Sequence, residues 1–303
     1  MKNKKFLFSI LGFLVISNLI AWLVVFDLAK TQFLEVNFFD VGQGDAIFIE
    51  TPSRQQILID GGPSSVILEK LSKEMPFWDR NIDLIILTHP EYDHLSGLNE
   101  VLRKYRVQNI LWTGIVRDTA EYKEWLKLIH EDSNPPTALP RLTRAPKAKI
   151  SIAISEKKII TSAGLVMNIL FPFENLEEKE FKDSNNTSIV SKLVFGKNSF
   201  LFTGDAYKDV EGELLLNLVK QQLDSDILKV AHHGSKTSTS EEFLKEVSPE
   251  IAVISVGREN KYGHPHPEVL ENLAKYGIKV LRTDLNGDIK IISDGKKYAI
   301  SNI

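Results

Sequence analysis

Residues 81–102 read NIDLIILTHPEYDHLSGLNEVL, and their pattern changes from that of a strand to that of a helix. Its apolar run from Ile82 to Leu87 predicts a buried strand, and the apolar residues between Leu95 and Leu102 recur at the spacing of a helix. Between strand and helix lie four potential metal ligands, His89, Glu91, Asp93 and His94. Open α/β sheets place their sites at such strand ends, and imidazole and carboxylate suit zinc or manganese. The stretch therefore predicts a metal-binding turn.

The composition limits what such a site is made of. The chain has 303 residues, of which 43% are hydrophobic, so it is long enough for one large domain or two ordinary ones. It has no cysteine, which excludes disulfides, zinc–thiolate sites and thiol nucleophiles. Its net charge of −3 does not indicate a nucleic-acid binder by bulk electrostatics. A phosphate-containing substrate would therefore have to be held locally.

The N-terminal residues 1–30 have the pattern of a membrane anchor. Three lysines lie among residues 1–5, and residues 6–26 contain no charged side chain. Such a run crosses a hydrocarbon core of roughly 30 Å as a helix. Lysines before the span predict a cytoplasmic N-terminus and a single-pass protein of the cell membrane, with the remainder outside. A cleaved long signal peptide and a buried helix are the alternatives.

Residues 33–303 have the pattern of one α/β domain. Several predicted strands end in a carboxylate: Asp60 follows QILI, and Asp205 follows FLFT. Near the C-terminus, Asn286-Gly287 between two β-rich runs predicts a hairpin. No internal repeat or low-complexity tract interrupts this region.

The histidines gather at predicted strand ends. Of the seven in the chain, His130 reads as a helix-surface residue. The other six form three short clusters, His89 and His94, His232 and His233, and His264 and His266. Together with Asp60, Asp93 and Asp205, they indicate two divalent metals roughly 3.5–4 Å apart, a bridging carboxylate and a metal-activated water.

The motifs THPEYDHLSG, TGDA and KVAHHGS resemble the metallo-β-lactamase fold. FFDVGQGDAIFIE, LIDGG, NNTSIV and YGHPHPEVL narrow the resemblance to the hydrolase domain of the ComEC/Rec2 DNA-uptake proteins and their free-standing relatives. The resemblance covers about residues 33–293. It implies an αβ/βα four-layer sandwich with the metals at one edge of two facing sheets.

The resemblance also implies roles for individual residues. Asp93 and His94 match ligands of one metal, and Asp205 matches the carboxylate that bridges both. His233 is the first choice for a further ligand and His232 the second, because adjacent side chains cannot both point inward from an extended strand end. For catalysis, Asp93 acts through the metal, and His264 matches a late histidine that contacts phosphate or protonates the leaving group.

The second metal site departs from the wider superfamily. His89 and Glu91 belong to it, but Glu91 stands where the superfamily has a histidine. The superfamily's middle histidine would fall near Asn186, where this sequence has no histidine. These replacements make the site richer in oxygen, hence weaker for zinc and more tolerant of manganese. We therefore expect one or two divalent ions.

Three further residues are candidates around the metals. Asp60 would orient one of the metal ligands by a hydrogen bond on the side away from the metal. Asp45 either contributes to the site or shapes the first turn. Lys236 either holds a phosphate or is a solvated loop charge.

These observations predict a metal-dependent phosphodiesterase, a nuclease acting on DNA outside the cytoplasmic membrane and linked to DNA uptake. Its expected partners are DNA or another phosphodiester, the membrane through residues 6–26, and a separate channel protein, because one span cannot conduct DNA. Two alternatives remain open: a hydrolase of another ester, such as a phosphocholine ester or a lactone, and a non-catalytic membrane-tethered binding module.

Overall fold

The structure is a computed structural model that describes residues 2–29, 33–130, 147–161 and 164–302. The chain divides into two units, residues 1–32 and residues 33–303. The first unit contains helix α1 (Lys2–Ala29). In the part of the chain that is described, no helix is long and apolar enough to cross a membrane. The predicted transmembrane anchor over residues 6–26 is therefore helical but not supported as a membrane span.

The second unit contains two β-sheets, whose strands are numbered in chain order. The first sheet has eight strands, in the spatial order β15-β14-β1-β2-β3-β4-β5-β6. Their bounds are β1 (Leu34–Phe38), β2 (Ile47–Glu50), β3 (Gln56–Ile59), β4 (Asn81–Ile86), β5 (Arg106–Trp112), β6 (Lys149–Ile152), β14 (Ile289–Ser293) and β15 (Tyr298–Asn302).

The second sheet has seven strands, in the spatial order β13-β12-β11-β10-β9-β8-β7. Their bounds are β7 (Lys158–Ile160), β8 (Val166–Phe171), β9 (Val190–Phe195), β10 (Asn198–Phe202), β11 (Ile227–Lys229), β12 (Ile251–Ile254) and β13 (Lys279–Arg282).

Helices cover the outer faces of both sheets. On the first sheet they are α2 (Val66–Glu74), α3 (Tyr92–Lys104) and α4 (Ala120–His130). On the second they are α5 (Lys208–Asn217), α6 (Lys220–Leu223), α7 (Glu241–Val247) and α8 (Pro267–Lys275). A short helix α9 (Thr283–Asn286) follows β13.

Three hydrophobic clusters fill the spaces between these layers. One contains residues of both sheets, and each of the other two joins one sheet to its helices. Strand β12 shows why: Ile251 and Val253 pack between the sheets, and Ala252 and Ile254 pack against the helices. An uninterrupted apolar run suits a strand buried on both faces. Three interlayer cores mean four layers, which confirms the predicted αβ/βα sandwich.

The C-terminal connection differs from the prediction. Strand β13 pairs with β12 in the second sheet, whereas β14 pairs with β1 and β15 in the first. Asn286 and Gly287 therefore lie where the chain passes between sheets, and the predicted hairpin there is wrong. The hairpin is formed by β14 and β15 instead. A turn signal marks a change of direction but does not specify the strand that pairs next.

The strand directions determine where the site lies. Strands β3 to β6 are parallel in the first sheet, and β10 to β13 are parallel in the second. Their carboxyl ends share an edge in each sheet, where α/β folds place ligands. The predicted histidine and carboxylate clusters follow β3, β4, β10, β11 and β12.

Candidate metal centre

The start of helix α3 is packed tightly against the loop that follows β3. The Gly61 amide donates to His94 O at 2.8 Å, and the Gly97 amide donates to Gly62 O at 2.9 Å. A Cβ atom on Gly97 would lie 1.8 Å from Gly61 O, so the backbones touch where only glycine fits. This contact fixes Asp93 and His94, in the first turn of α3, beside Asp60.

The ligand candidates of the two sheets meet around Asp205. Its Oδ2 lies 3.4 Å from His94 Nε2 and 3.5 Å from His233 Nε2. Asp93 Oδ2 lies 3.3 Å from the same His233 nitrogen. Asp93, His94 and His233 each offer an atom within 4.8 Å of the others, and His89 forms a similar group with His94 and Asp205. We name His89, Asp93, His94, Asp205 and His233 the metal cluster.

The hydrogen bonds of the metal cluster fit a metal ion. His89, His94 and His233 each have a buried Nε2 without a hydrogen-bond partner, as does Asp205 Oδ1. Their Nδ1 atoms are held by separate groups: His89 by Thr88 Oγ1 at 3.0 Å, His94 by Asp60 Oδ2 at 2.8 Å and His233 by Ser255 O at 2.8 Å. Metal-binding histidines have this arrangement, with one nitrogen fixed from behind and the other left for the ion.

The charges of the metal cluster favour a cation. Burial would raise the pKa of Asp205, but His233 and His94 outweigh it and hold that pKa well below its ordinary value. Burial would lower the pKa of His94, yet Asp205 and Asp60 raise it well above 6.5. The pKa of His233 is likewise raised, to about 10. Burial and the nearby His94 lower the pKa of His89 to about 3. In the metal-free protein, protons on His94 and His233 therefore supply the positive charge that a divalent ion would otherwise supply.

Glu91 is not part of the metal cluster, although it lines the cleft above it. Its Oε1 accepts from Arg117 Nη2 at 2.6 Å and from the hydroxyl of Ser184. The described ligand groups do not include it. Asn185, rather than the predicted Asn186, lines the cleft, and its Nδ2 lies 3.4 Å from His232 Nε2. Among the described residues, the metal cluster thus unites His89, predicted for the second site, with the ligands predicted for the first, whereas Glu91 belongs to none of these groups.

The two adjacent histidines lie in a sharp turn rather than at an extended strand end. Residues 231–234 form a 3-10 turn in which His232 and His233 have φ of 49° and 54°. His233 is buried in the metal cluster, and His232, with a side chain 21% exposed, reaches within 3.9 Å of Asp205 Oδ2. Both side chains therefore face Asp205, and the assumption of an extended end was wrong. Such left-handed residues are costly and often occur at functional sites.

A buried ion pair lies beneath the metal cluster. Asp45 Oδ2 contacts Lys229 Nζ, and both side chains are almost completely buried. Asp45 Oδ1 lies 3.4 Å from His233 Nδ1. Asp45 therefore lies behind the metal cluster and does not merely shape the first turn. The sequence prediction missed Lys229, although a lysine inside the apolar strand β11 was a signal, because lysine is rarely buried unless paired.

A cleft of about 560 Å³ opens over the metal cluster. The predicted site residues that line it are Glu91, Asp93, Asp205, His232, His233 and His264. The residues that the sequence prediction did not select are Gln43, Lys182, Asp183, Asn185, Tyr207 and Tyr262. Lys236 is exposed and is not among the lining residues. No local pattern distinguished the tyrosines from other surface aromatic residues.

The family model described as the metallo-beta-lactamase superfamily matches residues 39–258. The "ComE operon protein 3" of Bacillus subtilis is 33% identical over 277 residues, which are 84% of this chain and 32% of that protein. The "Recombination protein 2" of Haemophilus influenzae is 29% identical over 85% of this chain and 28% of its own length. The chain thus spans about a third of the length of the curated relatives it matches.

Among solved structures, a mutant of the CmlA beta-hydroxylase is similar with a TM-score of 0.51. The similarity covers 86% of this chain and 54% of that chain, at 11% sequence identity. At that identity the likeness concerns the fold alone. The fold, the strand-end ligands and the family match agree with one another.

Proposed function

The chain belongs to the metallo-beta-lactamase superfamily of metal-dependent hydrolases, and on that premise we propose that it hydrolyses phosphodiesters as a nuclease acting on DNA. The observation that carries the proposal is the metal cluster below an open cleft: the Nε2 atoms of its three histidines and Asp205 Oδ1 are buried and have no hydrogen-bond partner. Relatives named as competence and recombination proteins support DNA as the substrate.

Asp93, His94, His233 and Asp205 would hold the ion, with His89 beside them. A bound divalent ion supplies Lewis acidity toward a phosphoryl oxygen and lowers the pKa of a water molecule in the cleft. Zinc and manganese both suit this set of imidazoles and carboxylates. Asp60, Thr88 and Ser255 fix the histidine rings from behind, so that the ligand atoms need not reorganise.

His264 lies at the wall of the cleft beside His232. Burial, His232 and His233 lower its pKa to about 4, so its imidazole is neutral at pH 7. A neutral imidazole still has one N–H to donate to a phosphate oxygen. To protonate a leaving oxygen, His264 must first gain a proton, which an approaching phosphate anion would favour. Asn185 and Lys182 provide further donors in the same cleft.

The test is an assay of the full-length chain with manganese or zinc. Single- and double-stranded DNA and bis-p-nitrophenyl phosphate serve as phosphodiesters, and a phosphocholine ester and a lactone represent the other substrates. Asp205→Ala should lose both metal and turnover, whereas Asp209→Ala, an exposed carboxylate in α5, should retain them. No metal-dependent turnover of any phosphodiester contradicts the proposal. DNA binding without turnover would instead favour a tethering module.

We propose that the domain acts outside the cytoplasmic membrane in DNA uptake, beside a separate channel protein. The support is the competence proteins among the relatives. Protease added to intact cells should degrade the domain. Its complete protection would reverse this orientation.

A further inference from the structure

Four rings form a row across the cleft beside the metal cluster. Tyr207 stacks on His232 with ring centroids 5.2 Å apart, and Tyr262 stacks on His264 at 5.7 Å. The two histidines meet edge to face at 5.5 Å. We call Tyr207, His232, His264 and Tyr262 the aromatic row. All four residues line the cleft, so a substrate bound at the metal cluster lies alongside them.

Tyr262 lies at the solvent-exposed end of the aromatic row. Its side chain is stacked on His264 with an angle of 24° between the ring planes, yet the residue is 72% exposed. One face of the ring is therefore covered by an imidazole, and the rest of its surface is accessible. A large aromatic side chain in this position offers a flat apolar surface to whatever enters the cleft.

The loop that carries Tyr262 is held at both ends. The Asn260 amide group donates to Gly257 O at 2.9 Å and to His264 O at 2.8 Å, and the His264 amide donates back to Asn260 at 3.0 Å. The Gly257 amide donates to Gln43 Oε1 at 3.2 Å. The ring is thus presented from a braced loop, so little conformational entropy is lost when a ligand stacks on it.

The exposed charges around the cleft are of both signs. Lys182 lines the cleft, and Lys261 precedes Tyr262 in the loop; both are exposed. Asp183 and Glu259 are exposed nearby, so the rim is mixed rather than uniformly basic. Lys182 and Lys261 can contact phosphates, and the exposed ring adds a surface on which a base can stack.

We propose that Tyr262 stacks on an unpaired nucleobase beside the phosphodiester at the metal cluster, which makes the site selective for single-stranded nucleic acid. The inference rests on the proposed nuclease function. In a duplex each base face is covered by its neighbours, so the ring has nothing to stack on there. Because every base has a π-face, stacking confers strand selectivity with little sequence preference.

Kinetics with matched strands test this role. The substrates are a short oligothymidine and the same strand with abasic nucleotides, and the protein is the metal-loaded full chain. Tyr262→Ala should raise the KM for oligothymidine about 5- to 150-fold, the equivalent of one base–aromatic stack, and change kcat little. The preference for the intact over the abasic strand should disappear. Tyr262→Phe should retain that preference, because it keeps the ring.

The control is Phe77→Ala, which removes an aromatic residue that is 81% exposed and precedes β4, at the opposite end of that strand from His89. It should behave like the parent protein. If the ring merely shields His264, Tyr262→Ala will instead alter kcat and the pH profile equally for both strands, and the inference is overturned.

A second measurement does not depend on turnover. Tyr262→Trp places a fluorophore in the aromatic row, and oligothymidine should quench its additional emission, whereas the abasic strand should not. Equal quenching by both strands, with DNA still cleaved, overturns the stacking role alone. A protein that neither binds nor cleaves any strand overturns the nuclease function and this inference with it.

Discussion

Asp60 lies behind His94 rather than in the cleft, and both of its oxygens are used. Oδ1 accepts from the Thr88 amide at 2.8 Å, and Oδ2 accepts from the Thr88 hydroxyl and from His94 Nδ1. Burial raises the pKa of Asp60 above its ordinary value, and His94 opposes this. The carboxylate therefore sets the ring orientation of His94, and through it the position of Nε2.

The first prediction concerns this orienting contact. Asp60→Asn replaces an acceptor by an amide, which can turn an N–H toward His94 or Thr88. Loss of such an orienting partner should weaken metal affinity by about 10- to 100-fold. Competition with a chromophoric chelator measures the affinity, and Asp209→Asn, an exposed carboxylate, is the control. Unchanged affinity in Asp60→Asn would show that His94 is positioned by packing alone.

The second prediction concerns the buried pair of Lys229 and Asp45. Lys229→Met leaves a buried carboxylate without its cation, which should cost about 3–5 kcal/mol of unfolding free energy. The double variant Lys229→Met with Asp45→Asn should recover part of the loss, because the uncompensated charge is gone. Urea unfolding of the metal-free proteins measures both. A single variant as stable as the parent would exclude a structural role for the pair.

At the scale of elements, the site depends on how α3 is docked onto the loop after β3. Gly61 and Gly97 allow the two backbones to touch, and Asp93 and His94 lie one turn away from that contact. Mid-helix glycine is otherwise unfavourable by roughly 0.5–1 kcal/mol relative to alanine. Glycine is nevertheless required at position 97, because a side chain there would push α3 away from the sheet edge.

The third prediction compares two helix glycines. Gly97→Ala should destabilise the domain by about 1–3 kcal/mol or more, because the added methyl group overpacks the contact despite the gain in helix propensity. Gly212→Ala in α5, where a Cβ would meet nothing within 4 Å, should stabilise it by roughly 0.5–1 kcal/mol. Urea midpoints of the two variants provide the comparison. Equal shifts in the same direction would contradict the close packing at Gly97.

At the scale of the whole molecule, folding, protonation and metal binding are linked through the metal cluster. The pKa of His233 is raised from 6.5 to about 10 in the folded, metal-free protein. The pKa of His233 is higher in the folded than in the unfolded state, so protonation of His233 stabilises the folded state. This contribution is complete below about pH 6.5. That stabilisation is lost as the pH rises toward 10.

The fourth prediction follows from this linkage. A metal ion must displace the protons on His94 and His233, so its affinity should rise with pH through the same interval, up to tenfold per pH unit for each proton. Calorimetry in buffers of different ionisation enthalpy should show net proton release on binding. His233→Gln should release fewer protons than the parent. Binding without proton release would contradict the protonation of His94 and His233 in the metal-free cluster.

The strand-end positions of the ligand candidates could be predicted from the amino-acid sequence. Apolar strands followed by histidines and carboxylates, as at Leu87-Thr88-His89 and Phe202-Thr203-Gly204-Asp205, are local patterns of burial and spacing. The four layers and the grouping of His94 with Asp205 were implied by the family resemblance, whereas the placement of the ligands at the carboxyl ends of strands followed from these patterns. The strand-end motifs also carried the family resemblance.

The neighbours of these side chains became known only from the three-dimensional packing of the chain. Glu91 is bound by Arg117, Lys229 lies beneath Asp45, His232 and His233 both face Asp205, and β13 and β14 lie in different sheets. Each outcome depends on a contact or a backbone geometry that a local pattern does not specify. Local patterns record whether a residue is buried and in what element. They do not record its partner, because that is set by the packing of segments distant in the chain.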